Sequence, residues 1–325
     1  MLLPEFTLER PRSLSEAAAL ASREGARLLA GGTGLVPNLR LGLEAPKVLV
    51  SLDAIPELRE IEPGENSIRV GAGVALQTIA EAGGLPDALR EAARAVGAPA
   101  HRAAATLGGN LCLDTRCLYY NQSEGWRRSN GYCLKRGGDI CHVAPRGKLC
   151  RAAFSGDLAP ALLALEAEVE VFHRGRLESL PLETLYQDDG AKPLTLEPGA
   201  IVAAVRLPAR GVRSGYAKAR RRGAIDFPLA GVAIALELRE GRIARLRAAL
   251  TGTNSCPVVV SGTEELIGRP PGAALEAALG KRVEKQVKPL RTSVGAADYR
   301  RQVAVVLARR LLARLTAGET TGESS

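Results

Sequence analysis

Cysteines are the residues of this chain whose type and spacing are best suited to chemistry, and five of the six lie between Cys112 and Cys150. Cys117, Cys133, Cys141 and Cys150 are separated by 16, 8 and 9 residues. The segment is rich in Gly, Asn, Ser and Arg, shows no helical or strand periodicity and holds few aliphatic residues. Because a loop of this length inside a compact domain usually has a function, we interpret this segment as a functional insertion.

Four interpretations of these cysteines compete. Disulfides require an oxidising compartment, and the first twenty residues lack the basic and continuous apolar regions of a secretory signal. A structural zinc site usually pairs its ligands as C-x2-C, which does not occur here. An iron–sulfur cluster takes four thiolates that a loop can supply at wide spacing. Buried cysteines without a ligand fit poorly with such polar surroundings. The spacing alone does not choose between a cluster and zinc.

Composition restricts the classes of protein to consider. The apolar content of 46%, the charged content of 24% and the lack of an 18-residue apolar run predict a cytoplasmic protein with two or three domains and no membrane contact. The net charge of +9 favours nucleic-acid binding, but aromatic residues are only 3% and no nucleic-acid-binding motif occurs. Between Cys112 and Arg151, eight basic residues face three acidic ones. Such a loop would stabilise an anionic thiolate cluster and attract an acidic partner.

Two glycine turns form the second notable pattern. Residues 27–35 read RLLAGGTGL, and residues 103–111 read AAATLGGNL. Glycine lets backbone N–H groups approach an anion without obstruction by Cβ. The first turn fails the dinucleotide fingerprint G-x-G-x-x-G, because Pro37 stands where the third glycine belongs. Together the two turns could hold the two ends of one long phosphate-bearing ligand.

The remaining sequence predicts short strands that alternate with helices. A capping box, Ser13-x-x-Glu16, begins the first helix. Residues 206–222 are interpreted as a basic connector that leads to a hairpin around Glu240-Gly241 and to a long amphipathic helix over 296–315. The tail from Ala317 is predicted to be disordered.

No catalytic constellation is recognisable in the sequence. There is no Ser/His/Asp arrangement, no HExxH motif, no Walker loop and no pair of catalytic carboxylates. From its position before an apolar run, Asp157 is predicted to cap a helix. The chemistry is therefore expected to belong to cofactors.

Several motifs resemble the FAD-binding medium subunits of the xanthine dehydrogenase family of molybdenum hydroxylases. They are 29–33 (LAGGT), 106–110 (TLGGN), 157–161 (DLAPA) and 299–301 (YRR) before the last helix. The cysteine segment resembles an insertion in the 4-hydroxybenzoyl-CoA reductase beta subunits, where four cysteines with this spacing bind a [4Fe-4S] cluster. The resemblance implies an α+β fold with a two-subdomain FAD-binding domain of the vanillyl-alcohol-oxidase-like type. The implied FAD-binding domain covers residues 1–210, is divided into subdomains near residue 55 and carries the insertion at 112–151. A small C-terminal antiparallel-sheet-and-helix domain would follow at 211–316, and the tail would be 317–325.

The resemblance also assigns roles to individual residues. Two runs would wrap the pyrophosphate and adenosine of FAD: Leu28, Leu29, Ala30, Gly31, Gly32, Thr33, Gly34 and Leu35, and Ala105, Thr106, Leu107, Gly108, Gly109 and Asn110. Val96 would line the cofactor groove, Asp157 would bond the sugar-like part of FAD instead of capping, and Lys218 would reach the flavin ring. The cluster ligands would be Cys117, Cys133, Cys141 and Cys150, while Cys112 and Cys256 would stay free.

The function implied by the resemblance is that of an electron-transfer subunit in an oxidoreductase. Electrons from a reduced ferredoxin would enter at the cluster, pass to FAD and leave through a [2Fe-2S] small subunit to a molybdopterin-binding large subunit, in a dimer of heterotrimers. The large subunit would convert 4-hydroxybenzoyl-CoA to benzoyl-CoA. The alternatives are a related molybdenum hydroxylase with another aromatic or acyl-CoA substrate and, from a different class, a nucleic-acid-binding protein with a structural metal loop.

Overall fold

The computed structural model describes residues 3–209 and 211–317, and three sheets follow one another along the chain. The first sheet is parallel, in the order β1-β3-β2, and is built from β1 (Thr7–Glu9), β2 (Ala26–Leu29) and β3 (Val48–Ser51), with α1 (Leu14–Ala21) and α2 (Leu35–Arg40) between the strands. The predicted cap of α1 is confirmed, because the Ser13 hydroxyl accepts a hydrogen bond from the Glu16 amide at 3.2 Å.

The second sheet is antiparallel, in the order β4-β5-β8-β6-β7. Its strands are β4 (Ile61–Pro63), β5 (Ser67–Gly71), β6 (Glu168–His173), β7 (Arg176–Pro181) and β8 (Ile201–Pro208). The helices before and after the insertion are α3 (Leu76–Glu81), α4 (Asp87–Ala95), α5 (Pro99–Ala104), α6 (Leu107–Leu111) and α8 (Leu158–Ala164). Every residue of α8 is buried, as its sequence LAPALLA requires, so this helix is central to the core.

The third sheet is also antiparallel, in the order β12-β11-β10-β9. It contains β9 (Arg213–Ala219), β10 (Ala230–Arg239), β11 (Arg242–Thr251) and β12 (Val258–Val259), and α9 (Ala273–Gln286) and α10 (Ala297–Thr316) pack on its apolar face. The predicted hairpin is confirmed: Glu240 and Gly241 have φ of 50° and 67°, as a two-residue turn of twisted strands requires. Mixed helix and sheet in this arrangement agree with the predicted α+β class.

Two predictions about irregular segments are wrong. The connector 206–222 contains the whole of β9, which the sequence does not reveal because Ser214, Gly215 and Ala217 offer little apolar surface. The insertion is not irregular throughout, because α7 (Glu124–Ser129) forms within it, capped by Ser123, and six residues are too few to show periodicity. Most of the predicted disordered tail, residues 318–325, lies outside the described part of the chain.

No described helix is both long enough and apolar enough to cross a membrane.

A buried arginine anchors the start of α10. Arg300 is 1% exposed, and its guanidinium donates to the Leu229 carbonyl at 3.0 Å, the Leu290 carbonyl at 2.8 Å and the Gly252 carbonyl. Burial lowers the pKa of this guanidinium to about 10. One side chain therefore joins α10 to the segment before it and to the loops that precede β10 and follow β11.

We expect Arg300→Met to lower the free energy of unfolding by about 3 kcal/mol or more, because it leaves buried carbonyls without donors. Chemical denaturation followed by circular dichroism measures this. The neighbouring Arg301→Met is the matched control, since Arg301 is 43% exposed in the side chain and its ion pair with Asp298 is on the surface. The control is expected to change stability by less than about 0.5 kcal/mol, and equal effects of the two variants would contradict the assignment.

Candidate functional site

A cavity of about 1180 Å³ lies where the two glycine turns meet. This is larger than the usual volume of a small-molecule site and suits an elongated cofactor. Its lining includes fourteen of the seventeen residues predicted to bind the cofactor: Leu28, Ala30, Gly31, Gly32, Thr33, Gly34, Leu35, Val96, Ala105, Thr106, Gly108, Gly109, Asn110 and Asp157. The fold therefore brings both predicted turns to one cavity.

The two turns approach each other at a distance that only glycine permits. A Cβ on Gly31 would lie 1.7 Å from the Ala104 carbonyl oxygen, at the end of α5. On the second turn, a Cβ on Gly108 would lie 2.8 Å from the Ala72 Cβ. Gly32 has φ of 69°, a conformation that other residues adopt at a cost. The absence of side chains at these positions therefore sets the spacing of the cavity walls.

Polar groups of the second turn are fixed by the helices on either side. The Thr106 hydroxyl caps α6 by accepting from the Gly109 amide at 3.1 Å. Asn110 is 8% exposed, and its Oδ1 accepts from the Leu158 amide at 3.0 Å, at the start of α8. The Nδ2 amide of Asn110 is then the donor of this side chain that a ligand can use. Both residues line the cavity in a preorganised position.

Asp157 is buried at the junction between the part of the chain that carries the two glycine turns and the third sheet. Its Oδ1 accepts from the Tyr216 hydroxyl at 2.5 Å, and its Oδ2 accepts from Lys218 Nζ at 2.9 Å. Burial raises the pKa of the Asp157 carboxyl, and the Lys218 charge and the Tyr216 hydroxyl oppose that shift. The prediction that Asp157 caps a helix is wrong, because its side chain makes no cap bond to α8.

Three predicted contacts do not line the cavity: Leu29, Leu107 and Lys218. Leu107 is fully buried in the core, and Lys218 is held behind the wall by Asp157 and by the Ala95 carbonyl at 3.1 Å. The sequence analysis also missed lining residues, among them Cys112 and the exposed Phe227. The position of Cys112, directly after the second glycine turn, was a signal that it lines the cavity. The sequence around Phe227 offered no such signal.

The four cysteines predicted as metal ligands are all buried, with exposed fractions between 4% and 8%. All six cysteines are free, which removes the disulfide interpretation. Burial raises the pKa of the Cys117 thiol, and Cys133 and Cys141 add to the shift. Burial likewise raises the pKa of Cys150 to about 12, again with contributions from Cys141 and Cys117. The thiols are therefore close enough to repel one another when charged.

Among residues 3–209 and 211–317, however, no three His, Cys, Asp or Glu side chains are close enough to hold a single metal ion. Two backbone amides donate to the sulfurs, from Tyr120 to Cys117 at 3.3 Å and from Ala152 to Cys150 at 3.5 Å. This agrees with the fourth interpretation, buried cysteines without a ligand. His142 bonds the Tyr132 carbonyl through Nε2 at 2.6 Å, and so it has a structural partner.

The basic residues of the insertion divide into two groups. Four are committed to contacts: Arg116 to Asn121 and Asn38, Arg127 to backbone carbonyls and Glu124, Lys135 to Asp114, and Arg151 to Asp188. The other four, Arg128, Arg136, Arg146 and Lys148, are exposed. The positive surface that a partner would meet is therefore about half of what the sequence suggested.

Comparison with known proteins identifies relatives of the whole chain. Residues 4–210 match the FAD binding domain in molybdopterin dehydrogenase, and residues 214–315 match the CO dehydrogenase flavoprotein C-terminal domain. The chain is 32% identical over 247 residues to the aldehyde oxidoreductase FAD-binding subunit PaoB of Escherichia coli, covering 71% of this chain and 77% of that protein.

Two further comparisons extend over nearly the full length. The carbon monoxide dehydrogenase medium chain of Hydrogenophaga pseudoflava is 26% identical, over 96% of this chain and 97% of that one. A solved structure of carbon monoxide dehydrogenase from the same organism superposes with a TM-score of 0.79, with 23% identity, 98% coverage of this chain and 99% of the other. The structural likeness shows that the fold is shared.

We expect Gly31→Ala to lower the molar ratio of bound flavin to protein at least about tenfold, because the new Cβ would collide with the Ala104 carbonyl and separate the two turns. Absorbance of the purified chain near 450 nm, divided by protein concentration, measures this ratio. Gly125→Ala is the matched control, since nothing lies within 4 Å of the position that its Cβ would take. Full flavin occupancy in Gly31→Ala would show that the close approach is not required.

Proposed function

This chain belongs to the family of FAD-binding medium subunits of the xanthine dehydrogenase and carbon monoxide dehydrogenase molybdenum hydroxylases, and we propose that it serves a 4-hydroxybenzoyl-CoA reductase. As a member of that family it is an FAD-binding subunit of an oxidoreductase, which replaces the alternative of a nucleic-acid-binding protein. The proposal adds a [4Fe-4S] cluster in the insertion, a ferredoxin as electron donor and a substrate that is reduced on a partner subunit.

The residues of the cavity fit FAD by their chemistry. Glycine turns expose backbone N–H groups to a pyrophosphate, and the Asn110 amide and the Asp157 carboxylate offer a donor and an acceptor to the sugar-like chain. Lys218 acts through Asp157, whose position it fixes at 2.9 Å. When bound, FAD supplies electron transfer in steps of one or two electrons. On this basis we propose that all seventeen predicted residues take part in FAD binding. Leu29, Leu107 and Lys218 do not line the cavity and would act from behind the residues that do.

The observation that carries the proposed cluster is that four thiols of one short segment are all buried and free. Burial raises the pKa of the Cys117 and Cys150 thiols, and other thiols of the set add to both shifts, so the sulfurs lie in one region of the insertion. A four-iron cluster takes four thiolates, which a loop can supply at wide spacing. Amide donors to Cys117 and Cys150 are of the kind that stabilise cluster sulfurs.

The exposed face of the insertion supports an acidic, protein-borne electron donor. The insertion carries four exposed cations and a group of aromatic side chains, in which Tyr119 stacks on His142 at 5.2 Å and lies 6.0 Å from Trp126. Trp126 is 37% exposed. Exposed cations and an exposed aromatic side chain on one segment are complementary to an acidic protein such as a ferredoxin.

The proposed complex contains a molybdopterin-binding large subunit and a [2Fe-2S] small subunit, as a dimer of heterotrimers. The word medium in the names of the carbon monoxide dehydrogenase chains supports an assembly of several subunits. We propose the domain boundaries 1–210 and 211–316 for this chain. The substrate pocket would lie on the large subunit, where the phenolic hydroxyl of 4-hydroxybenzoyl-CoA would be removed.

The second candidate function is that of the FAD subunit in a related molybdenum hydroxylase with another aromatic or acyl-CoA substrate. The named relatives favour it, because they belong to an aldehyde oxidoreductase and to carbon monoxide dehydrogenases. Assay of the purified complex separates the two candidates. Reduction of 4-hydroxybenzoyl-CoA by the complex supports the proposed reductase. Activity with an aldehyde or another aromatic compound, without reduction of 4-hydroxybenzoyl-CoA, supports the related hydroxylase.

We expect the anaerobically purified chain to contain flavin and about four iron atoms, and Cys133→Ser to lose most of the iron. Cys112→Ser and Cys256→Ser are matched controls, because neither thiol belongs to the proposed ligand set, and both should keep the iron. Metal analysis and ultraviolet-visible spectra measure the outcome. Zinc in place of iron, or unchanged iron in Cys133→Ser, would contradict the ligand assignment.

We expect the pair of substitutions Arg146→Glu and Lys148→Glu to raise the KM for reduced ferredoxin about tenfold and to weaken its dependence on salt, because both residues are exposed on the insertion. The rate of substrate reduction by the doubly substituted variant should stay unchanged when dithionite replaces ferredoxin as the electron donor. Lys281→Glu, an exposed charge reversal on α9, is the control. A KM unaltered in the insertion variant would exclude docking at this face.

A further inference from the structure

We propose that the insertion forms one wall of the FAD cavity, and that Arg136 on this wall is a further binding residue for the diphosphate of the cofactor. The inference deepens the proposed function, because it rests on the binding of FAD by this chain. It does not depend on whether the insertion holds a metal.

The insertion contributes a distinct part of the cavity lining, which we call the insertion wall. Its residues are Leu113, Asp114, Arg116, Tyr120, Lys135 and Arg136. Tyr120 is 5% exposed and packs in one buried cluster with Leu43, which lies shortly after α2. The ammonium of Lys135 lies 5.0 Å from the centre of the Tyr120 ring, a cation–π distance. The wall is therefore fixed against the first subdomain by packing.

The insertion wall adjoins the first glycine turn. A Cβ on Gly34, the last glycine of that turn, would lie 3.4 Å from Leu113 Cδ1, which is van der Waals contact. Asp114 follows Leu113 in the chain, and its Oδ1 accepts from Lys135 Nζ at 2.6 Å. Arg136 is the next residue after Lys135 and lines the same cavity. A short series of contacts thus connects Arg136 to the turn whose amides face the cavity.

The other charges of this region are compensated within the protein. Lys135 pairs with Asp114, and Arg116 donates to the Asn38 side chain on α2. The Asn38 amide donates to the cavity-lining carboxylate of Glu44 at 3.0 Å, and Glu44 also pairs with a cation on β2 at 2.8 Å. Both carboxylates near the wall therefore have a positively charged partner.

Arg136 is the charge of the insertion wall that remains uncompensated. The residue is exposed, and within residues 3–209 and 211–317 its guanidinium has no hydrogen-bond or ion-pair partner. Arg128, another exposed cation of the insertion, also lacks such a partner but does not line the cavity. An anionic ligand in the cavity would thus meet one free guanidinium on this wall.

The diphosphate is the anionic part of FAD and the group that suits this position. A guanidinium presents a planar set of donors that matches two phosphate oxygens, and such charge-assisted hydrogen bonds are stronger than neutral ones. The amides of a glycine turn bind the same kind of anion. Because the wall adjoins the first turn, the arginine and the turn can act on one diphosphate from two sides.

The test is a titration of the flavin-free full chain with FAD, followed by flavin fluorescence. Arg136→Gln should raise the Kd for FAD about tenfold at low ionic strength, because it removes a charge-assisted hydrogen bond. The increase should fall to about threefold at about 1 M salt, since salt screens an exposed charge. Arg136→Lys keeps the charge and should stay within about threefold of the unmodified chain.

ADP carries a diphosphate without a flavin and serves as the probe for the phosphate site. It should compete with FAD, and Arg136→Gln should raise its inhibition constant by the same factor as the Kd for FAD. Arg128→Gln is the matched control and should change the Kd for FAD less than about twofold, because this exposed cation does not line the cavity.

An unchanged Kd for FAD in Arg136→Gln, or an equal rise in Arg128→Gln, would overturn the inference while leaving FAD binding established. A raised Kd for FAD with unchanged inhibition by ADP would place Arg136 at the flavin end and would also overturn it. Failure of the unmodified chain to bind FAD would overturn the proposed function as well.

Discussion

The close approach of Gly31 to the Ala104 carbonyl is the constraint on which the rest of the site depends. It joins the loop after β2, in the parallel sheet, to the end of α5, which packs against α3. Any side chain at this position would push the loop away from α5 and widen the space between the turns. The cavity is thus a consequence of backbone packing, and the polar side chains around it, such as Asn110, are supported by helices that this packing orders.

The third sheet takes part in the same site through buried polar contacts. Tyr216 and Lys218 on β9 hold the Asp157 carboxylate, and Glu91 on α4 accepts from the Tyr216 amide at 2.7 Å. The carbonyl end of α4 at Ala95 accepts from Lys218, where the helix dipole favours a cation. Burying an ion pair such as Asp157 and Lys218 costs desolvation free energy. Such a pair is retained where it fixes the geometry of a site. The C-terminal domain therefore positions the cavity residue Asp157 and also contributes Phe227 to the lining.

The sequence predicted the features that depend on local chemistry. Both glycine turns, the cap at Ser13 and the hairpin at Glu240 are encoded within a few residues, and all are where they were expected. It failed where partners are distant in the chain: Asp157 was taken for a cap because Tyr216 and Lys218 are about 60 residues away. The burial of Arg127 and Lys135 was equally hidden, since no side-chain pattern reveals that they also donate to the distant backbone carbonyls of Gly42 and Gly190.

The two ends of the insertion meet at a single point. Arg116 and Ala153 form an isolated antiparallel bridge, with both backbone hydrogen bonds between 2.9 and 3.1 Å, so the segment leaves the domain and returns to it at one pair of residues. Closing a loop whose ends already adjoin costs little entropy, and lengthening it costs only slightly more. The length and sequence of the insertion can therefore vary without any change in the sheets of the domain that carries it.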